Sequence, residues 1–219
     1  MSKKINKCRN CQSNQLDNLF TLGKIRFTGK FPKKNQSIPF GELSLIMCKK
    51  CKLVQLNKNF DLKYLYNKDY GYRTGVNKTM TKHVFNVVKI LQKKTKIKKS
   101  ENVLDIASND GTLLNFYNNK IIRWGVDPIL NKFKKNYKNI DYKINNFFNY
   151  KSILKKNKHI KFKLITALSV FYDLKNPNTF LHGIKKLLDK NGVFYLEFQD
   201  LLKIVQNNMF DTICHEHLE

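Results

Sequence analysis

No stretch of this sequence approaches the about 18 consecutive apolar residues that a membrane-spanning helix needs. The opening, Met1-Ser2-Lys3-Lys4-Ile5-Asn6-Lys7-Cys8, has neither an apolar core nor a cleavage pattern, so it is not a secretory signal and the expected location is the cytoplasm. Arginine is nearly missing. It stands only at Arg9, Arg26, Arg73 and Arg123, although Lys and Arg together number 42 against 16 Asp and Glu. The resulting net charge of +26 comes from lysines scattered among Asn, Ile and Phe. That reads as A/T-rich coding bias, because arginine is the residue suited to phosphate forks and base edges. Weak attraction to any polyanion is expected, and no specific nucleic-acid partner. The glycine signatures of phosphate binding are missing too. There is no Gly-Lys-Ser/Thr loop for a triphosphate and no Gly-x-Gly-x-x-Gly for a dinucleotide.

Among what is there, five cysteines include two Cys-x-x-Cys pairs, Cys8/Cys11 and Cys48/Cys51. Each pair puts two thiolates on one tight turn, and four thiolates around one Zn²⁺ make a closed, structural site. Without an export signal, metal is favoured over disulfides. Between the pairs, Leu43-Ser44-Leu45-Ile46-Met47 alternates as a hairpin-type strand does. Residues 1–60 are therefore expected to form a small zinc-binding domain. Residues 61–100 read as a connector. It carries a tyrosine cluster (Tyr64, Tyr66, Tyr70, Tyr72), an amphipathic helix marked by Met80, Val84, Val87, Val88 and Leu91, and a solvated linker over Lys93–Lys99.

Residues 101–219 alternate strand and helix. Strands are expected near 102–107, 122–126, 141–144, 162–168 and 192–197, and helices near 112–119, 129–137, 149–157, 177–189 and 199–208. Asn191-Gly192 is read as a turn before the fifth strand. Repeating βα units imply an α/β fold with a parallel, Rossmann-like sheet of about five strands.

The stretch that organises this domain is Val103-Leu104-Asp105-Ile106-Ala107-Ser108-Asn109-Asp110-Gly111. It reads as a buried strand, a turn of small residues and a helix start. Asp105 sits at the strand's carboxyl end, where open α/β sheets bind ligands. Ala107, Ser108 and Gly111 let a ligand approach the backbone. Asp127, in Gly125-Val126-Asp127-Pro128, ends the next strand, roughly 20 residues on, where a ribose hydroxyl needs an acceptor. Asp110 inside the loop disfavours a pyrophosphate at the helix N-terminus. A cationic or zwitterionic nucleoside fits better, and S-adenosylmethionine has a ribose, an amino-acid end, a sulfonium and no phosphate. Asp105, Ala107, Ser108, Asn109, Asp110, Gly111, Asp127 and Pro128 are the candidate cofactor residues.

Taken together, Cys8-x-x-Cys11, Cys48-x-x-Cys51-Lys-Leu-Val-Gln-Leu56, Tyr70-Gly-Tyr72-Arg-Thr-Gly75, Asp105–Gly111, Gly125–Pro128 and Asp211-Thr-Ile-Cys-His-Glu-His-Leu218 span nearly the whole chain. In this order they resemble the sugar C-methyltransferases that act on nucleotide-linked deoxysugars. The resemblance implies a zinc-binding N-terminal domain, a class I S-adenosylmethionine domain and a C-terminal domain that helps hold the nucleotide-sugar. It also implies a role in making surface polysaccharide. The His-Glu-His segment matches the family's base region. That makes His215, Glu216 and His217 the candidate catalytic residues, with His217 the base and Glu216 orienting or assisting it. Three positions depart from the pattern. Cys214 stands where the family often has Tyr. Ser169-Val-Phe-Tyr-Asp173 lacks the usual histidine. Ala107 stands where Gly is usual.

A complete sheet of that type has seven strands, and five are expected here, so the sheet reads as incomplete. A truncated product, a separate C-terminal polypeptide, or closure of the sheet edge by the residues present would each account for this, with the first favoured. Two further functional readings follow: an RNA methyltransferase that grips its substrate with the zinc module and lysines, and a non-catalytic remnant that still binds S-adenosylmethionine.

Overall fold

The computed structural model describes residues 2–30, 32, 34–67 and 69–219. The chain forms two compact units. One comprises Met1–Gly71, Ser169–Asn178 and Phe198–Glu219, and the other Tyr72–Leu168 and Thr179–Glu197.

The first unit is antiparallel. Strands β1 (Ser2–Lys4), β2 (Leu16–Arg26), β3 (Phe40–Cys48), β4 (Val54–Leu56) and β5 (Lys58–Phe60) form a three-stranded sheet in the order β2-β3-β4 and a separate β1-β5 pair. Leu16 pairs with Cys48, so the second cysteine pair opens where β3 ends. The short helix α1 (Leu62–Leu65) is capped by Asp61, whose carboxylate accepts from the Lys63 N–H. The core is small: Phe27, Leu43, Leu56, Phe60, Leu65 and Leu218. Leu218 comes from the far end of the sequence and is fully buried.

The second unit holds a five-stranded parallel sheet. Its strands are β6 (Asn102–Ile106), β7 (Ile122–Val126), β8 (Tyr142–Ile144), β9 (Phe162–Leu168) and β10 (Leu188–Glu197), in the order β10-β9-β6-β7-β8. The expected five strands are present, and β6 lies at the centre. Its continuous apolar run suits a strand covered on both faces, and Val103, Leu104 and Ile106 are buried. The chain order β6-β7-β8, followed by β9 on the other side of β6, places a topological switch point at the carboxyl end of β6, the usual ligand crevice of such sheets.

The helices are α2 (Lys78–Thr95), α3 (Thr112–Asn115), α4 (Tyr150–Lys156), α5 (Pro177–Leu187) and, in the first unit, α6 (Leu201–Gln206). Asn77 caps α2 by accepting from Met80 N–H, and Val84, Val87, Val88 and Leu91 face inward. The expected linker begins inside this helix. Lys93 and Lys94 form its last turn, where cations favour the helix dipole, and the stop comes at Lys96 in the left-handed region (φ 49°). Residues 130–137 are a 3₁₀ helix. Asn191-Gly192 lies within β10, in a bulge where pairing jumps from Leu188–Phe162 to Val193–Leu164. Asn191 N–H donates to the Asp189 carboxylate, so the turn chemistry read from sequence is local and is accommodated in the bulge.

Candidate functional site

The β6–α3 loop is assembled around three buried acids. Asp110 is fully buried and receives four donors. Arg73 Nε (2.9 Å) and Gly75 N–H (3.1 Å) reach one oxygen, while Thr112 N–H (3.2 Å) and Thr112 hydroxyl (2.6 Å) reach the other. Gly75 is needed there, because a Cβ on it would lie 2.7 Å from Asp110 Oδ2. Asp127 accepts from Asn109 N–H (2.9 Å) and from Ile129 N–H (2.8 Å), one on each oxygen. Burial pushes its pKa up to about 6 in spite of these donors. Asp105 accepts from the Thr166 hydroxyl at 2.6 Å, and burial, with Asp127 nearby, raises it to about 7.

The loop backbone is fixed as firmly as its acids. Tyr137 hydroxyl donates to Asn109 carbonyl (2.9 Å) and bonds Ser108 Oγ (2.8 Å). The Asn109 side chain bridges to the neighbouring segment, accepting from Thr74 N–H and donating to Tyr72 carbonyl. Ala107 (φ 58°), Asn109 (φ 48°) and Gly111 (φ 76°) all take the left-handed region. For Ala107 this is strained, and such strain collects where a backbone is shaped for a ligand. The unit thus brings Asp105, Ala107, Ser108, Asn109, Asp110, Gly111 and Asp127 together, with Pro128 in the turn after β7. Sequence reading missed Arg73, Thr166 and Tyr137. Nothing in their local pattern marks them, although Arg73 lies inside the Tyr70–Gly75 motif.

In the other unit the four cysteines converge. Cys8 and Cys51 sulfurs lie 3.5 Å apart, as do Cys11 and Cys48, and all four sulfurs lie within 4.8 Å of one another. A tetrahedron with Zn–S bonds of about 2.3 Å has edges of about 3.8 Å, so the donor set and spacing fit Zn²⁺. All four cysteines are free thiols. Arg9, inside the first knuckle, is buried. It donates to the carbonyls of Leu56 (2.8 Å), Leu218 (3.1 Å) and Lys58 (3.0 Å), and to Gln55 and Asn59.

The same unit holds the His-Glu-His segment. His215 is fully buried, and burial lowers its pKa. Its Nδ1 accepts from Thr28 N–H (3.1 Å), which assigns its proton to Nε2, the atom facing Gly41. Thr28 hydroxyl accepts from His215 N–H (2.7 Å) and donates to Glu216 (2.8 Å). His217 is half-buried and has the opposite tautomer. Its Nδ1–H donates to Thr212 carbonyl (2.7 Å), which leaves the Nε2 lone pair available. Its ring packs edge-on against Tyr172, centroids 4.5 Å apart. Thr28, which fixes the first of these tautomers, left no signal in the sequence, while Thr212, which fixes the second, lies inside the Asp211–Leu218 motif.

Comparison with known proteins now adds to this geometry. Residues 78–218 match the family model described as a methyltransferase domain, and residues 8–66 match that of a zinc binding domain. The chain belongs to the methyltransferase-domain family. A curated relative, C-methyltransferase NovU from Streptomyces niveus, is 23% identical over 219 residues, covering 97% of this chain and 52% of that protein. The chain therefore spans about half the length of the curated relative it matches. Similar solved structures include an S-adenosylmethionine-dependent methyltransferase from Clostridium acetobutylicum (18% identity, TM-score 0.48, 58% of this chain and 54% of that one). Another is CalS10, an amino pentose methyltransferase from Micromonospora echinaspora (11% identity, TM-score 0.45, 56% and 52%). The chain carries its five-stranded parallel sheet as a Rossmann-like class I methyltransferase core. Among the described residues, no helix is long and apolar enough to cross a membrane.

Proposed function

We propose that this chain binds S-adenosylmethionine at the β6–α3 loop and serves methyl transfer to a carbon beside the keto group of a nucleotide-linked deoxysugar. The observation that carries the reading is the trio Asp105, Asp110 and Asp127, buried at the switch point of the sheet in a chain of net charge +26. Among the described residues, only Asp110 of the three is ion-paired to a basic side chain, Arg73. Such a site favours a cation and disfavours a phosphate. Asp127 retains a second lone pair on each oxygen for ribose hydroxyls. The left-handed turn of Ala107–Gly111 exposes backbone groups to the amino-acid end.

Carbon transfer is supported by the C-methyltransferase relative, and a nucleotide-sugar by the motif set that spans the chain. A cleft of about 330 Å³ lined by Gly75, Lys78, Thr81, Lys82, Phe85 and Phe116 offers ammonium groups for phosphates and rings for a base. S-adenosylmethionine, when bound, supplies an electrophilic methyl on a sulfonium. His217 Nε2 is the base that takes the proton beside the keto group, so that the carbon can accept the methyl as the carbon–sulfur bond breaks. Thr28, whose hydroxyl accepts from His215 N–H, holds Glu216 by donating to its carboxylate. In this reading residues 1–60, 61–100 and 101–219 act as zinc domain, connector and cofactor domain.

Transfer of labelled methyl from S-adenosylmethionine to a nucleotide-linked 4-keto-deoxysugar tests the proposal. His217→Ala is expected to lower turnover by on the order of 100-fold or more and to leave cofactor binding unchanged. Transfer to RNA in place of the sugar, or full activity in the variant, overturns it.

A further inference from the structure

Residues 72–75 are fastened to the β6–α3 loop along its length. Arg73 Nε and Gly75 N–H donate to one oxygen of Asp110, Thr74 N–H donates to the Asn109 side chain, and Asn109 Nδ2 donates to Tyr72 carbonyl. All of these residues belong to the sheet unit. A carboxylate offers about four lone-pair sites. The donors from Arg73, Gly75 and Thr112 fill those of Asp110, which is fully buried. Asp110 therefore has no acceptor site left for a ligand. What it supplies is a fixed anchor for the Arg73 side chain.

The guanidinium of Arg73 is only partly used by that anchor. It carries five N–H donors in a rigid planar fork, and Asp110 takes the one on Nε at 2.9 Å. Among the described residues neither Nη has a hydrogen-bond partner, and the side chain is 38% exposed although its anchor is 0% exposed. A second, independent contact places the group. Arg73 Cζ lies 5.6 Å from the ring centroid of Phe133, in the 3₁₀ helix that follows Asp127 and Pro128. The guanidinium is thus held between the loop after β6 and the segment after β7, the two stretches that carry the candidate cofactor residues. No other arginine takes that position. Arg9 and Arg26 belong to the first unit, and Arg123 is buried beside Asp141 and the Tyr117 carbonyl.

We propose that Arg73 receives the carboxylate of S-adenosylmethionine on its two Nη groups, and that Asp110 is a positioning residue that aims it. The inference rests on the proposed binding of S-adenosylmethionine at this loop. Paired N–H donors in a plane match the two oxygens of a carboxylate, a geometry that a lysine ammonium does not offer. Arg73 is then a specificity determinant. A sulfonium nucleoside that keeps the ammonium and lacks the carboxylate leaves the Nη pair without an acceptor and is rejected. Charge is divided along the ligand, with Asp127 at the ribose and Arg73 at the carboxylate.

Calorimetric titration of the full chain with S-adenosylmethionine and with decarboxylated S-adenosylmethionine tests the proposal. The unaltered chain is expected to bind the carboxylate-bearing form about 100-fold more tightly. Arg73→Gln is expected to erase most of that ratio by weakening S-adenosylmethionine alone, and Arg73→Lys, which keeps the charge without the fork, to retain about tenfold. Asp110→Asn is expected to lower the same ratio while affinity for the decarboxylated form holds. Equal weakening of both ligands by Arg73→Gln marks a purely structural role through Asp110 and overturns the proposal. A ratio kept in Arg73→Gln, with affinity for a nucleoside diphosphate lost instead, assigns the fork to phosphate and also overturns it. Should Arg73→Gln fail to fold by circular dichroism, the ratios for the unaltered chain and Arg73→Lys decide. Indiscriminate binding by the unaltered chain overturns this proposal alone, whereas binding of neither ligand overturns the reading of the loop and this proposal with it.

Discussion

In the sheet unit the large, fully buried side chains include Leu104, Trp124, Phe162, Leu164 and Ile165 from three adjacent strands, β6, β7 and β9, and Leu114, Tyr137 and Ile153 from the helices. Among the described residues of the cysteine-bearing unit, the buried apolar cluster is six residues, one of them Leu218 from the other end of the chain. There the structure is held by polar devices: four thiols at zinc spacing, and Arg9 joined to carbonyls of Leu56, Lys58 and Leu218. With so few buried apolar side chains clustered among its described residues, this unit gains from a bound metal stability that packing supplies weakly. The two units also treat acids differently. The sheet unit saturates Asp110 with donors, while in the other Asp173 Oδ1 has no hydrogen-bond partner among the described residues.

Zinc removal is the strongest way to break this comparison. Chelation, or Cys48→Ser, is expected to cost the first unit on the order of 10 kcal/mol. Amide exchange should show protection lost in β3 and β4 and retained in β6 and β7. Loss of protection in both units together would contradict the difference.

The next largest effect is pH dependence in the sheet unit. Asp105 and Asp127 hold raised values of about 7 and about 6. The folded unit therefore keeps protons that the unfolded chain releases near pH 4. Their contribution to stability is fully present below about pH 4 and is lost as pH rises toward 7, by on the order of 3 kcal/mol. Denaturant titrations at pH 4.5 and pH 7.5, with Asp127→Asn flattening part of the slope, check the sign.

Arg73→Ala tests the saturation of Asp110 more locally. It leaves a fully buried carboxylate without its cation, a loss of about 2 kcal/mol once the solvent reach of Arg73 is allowed for. The smallest effect is expected from Ala107→Gly, which relieves the left-handed strain and raises stability by up to about 1 kcal/mol in thermal unfolding.

What was legible in the sequence follows from how local each cause is. The β6 and β7 strands, their terminal acids and the two cysteine pairs are read from neighbouring residues, and the structure places them as expected. The Asn191-Gly192 turn was legible as chemistry but not as placement, because a bulge absorbed it inside β10. The Lys93–Lys94 pair read as linker because charge suggests solvent, yet lysine is a good helix former at a C-terminal turn. Arg73, Tyr137, Thr166 and Thr28 were not legible. Their partners lie 28 to 188 positions away in sequence, and no local pattern encodes such pairings. The opposite tautomers of His215 and His217 depend on those same distant or backbone partners.

The most direct test of the account is calorimetric titration of S-adenosylmethionine into the zinc-loaded chain at pH 5.5 and pH 8. Ionisation of Asp105 and Asp127 across that interval predicts affinity that rises about tenfold or more, with Asp127→Asn weakening binding and reducing the rise. Binding that is indifferent to pH and to Asp127→Asn, or no binding at all, would contradict the assignment of a cationic nucleoside to the β6–α3 loop.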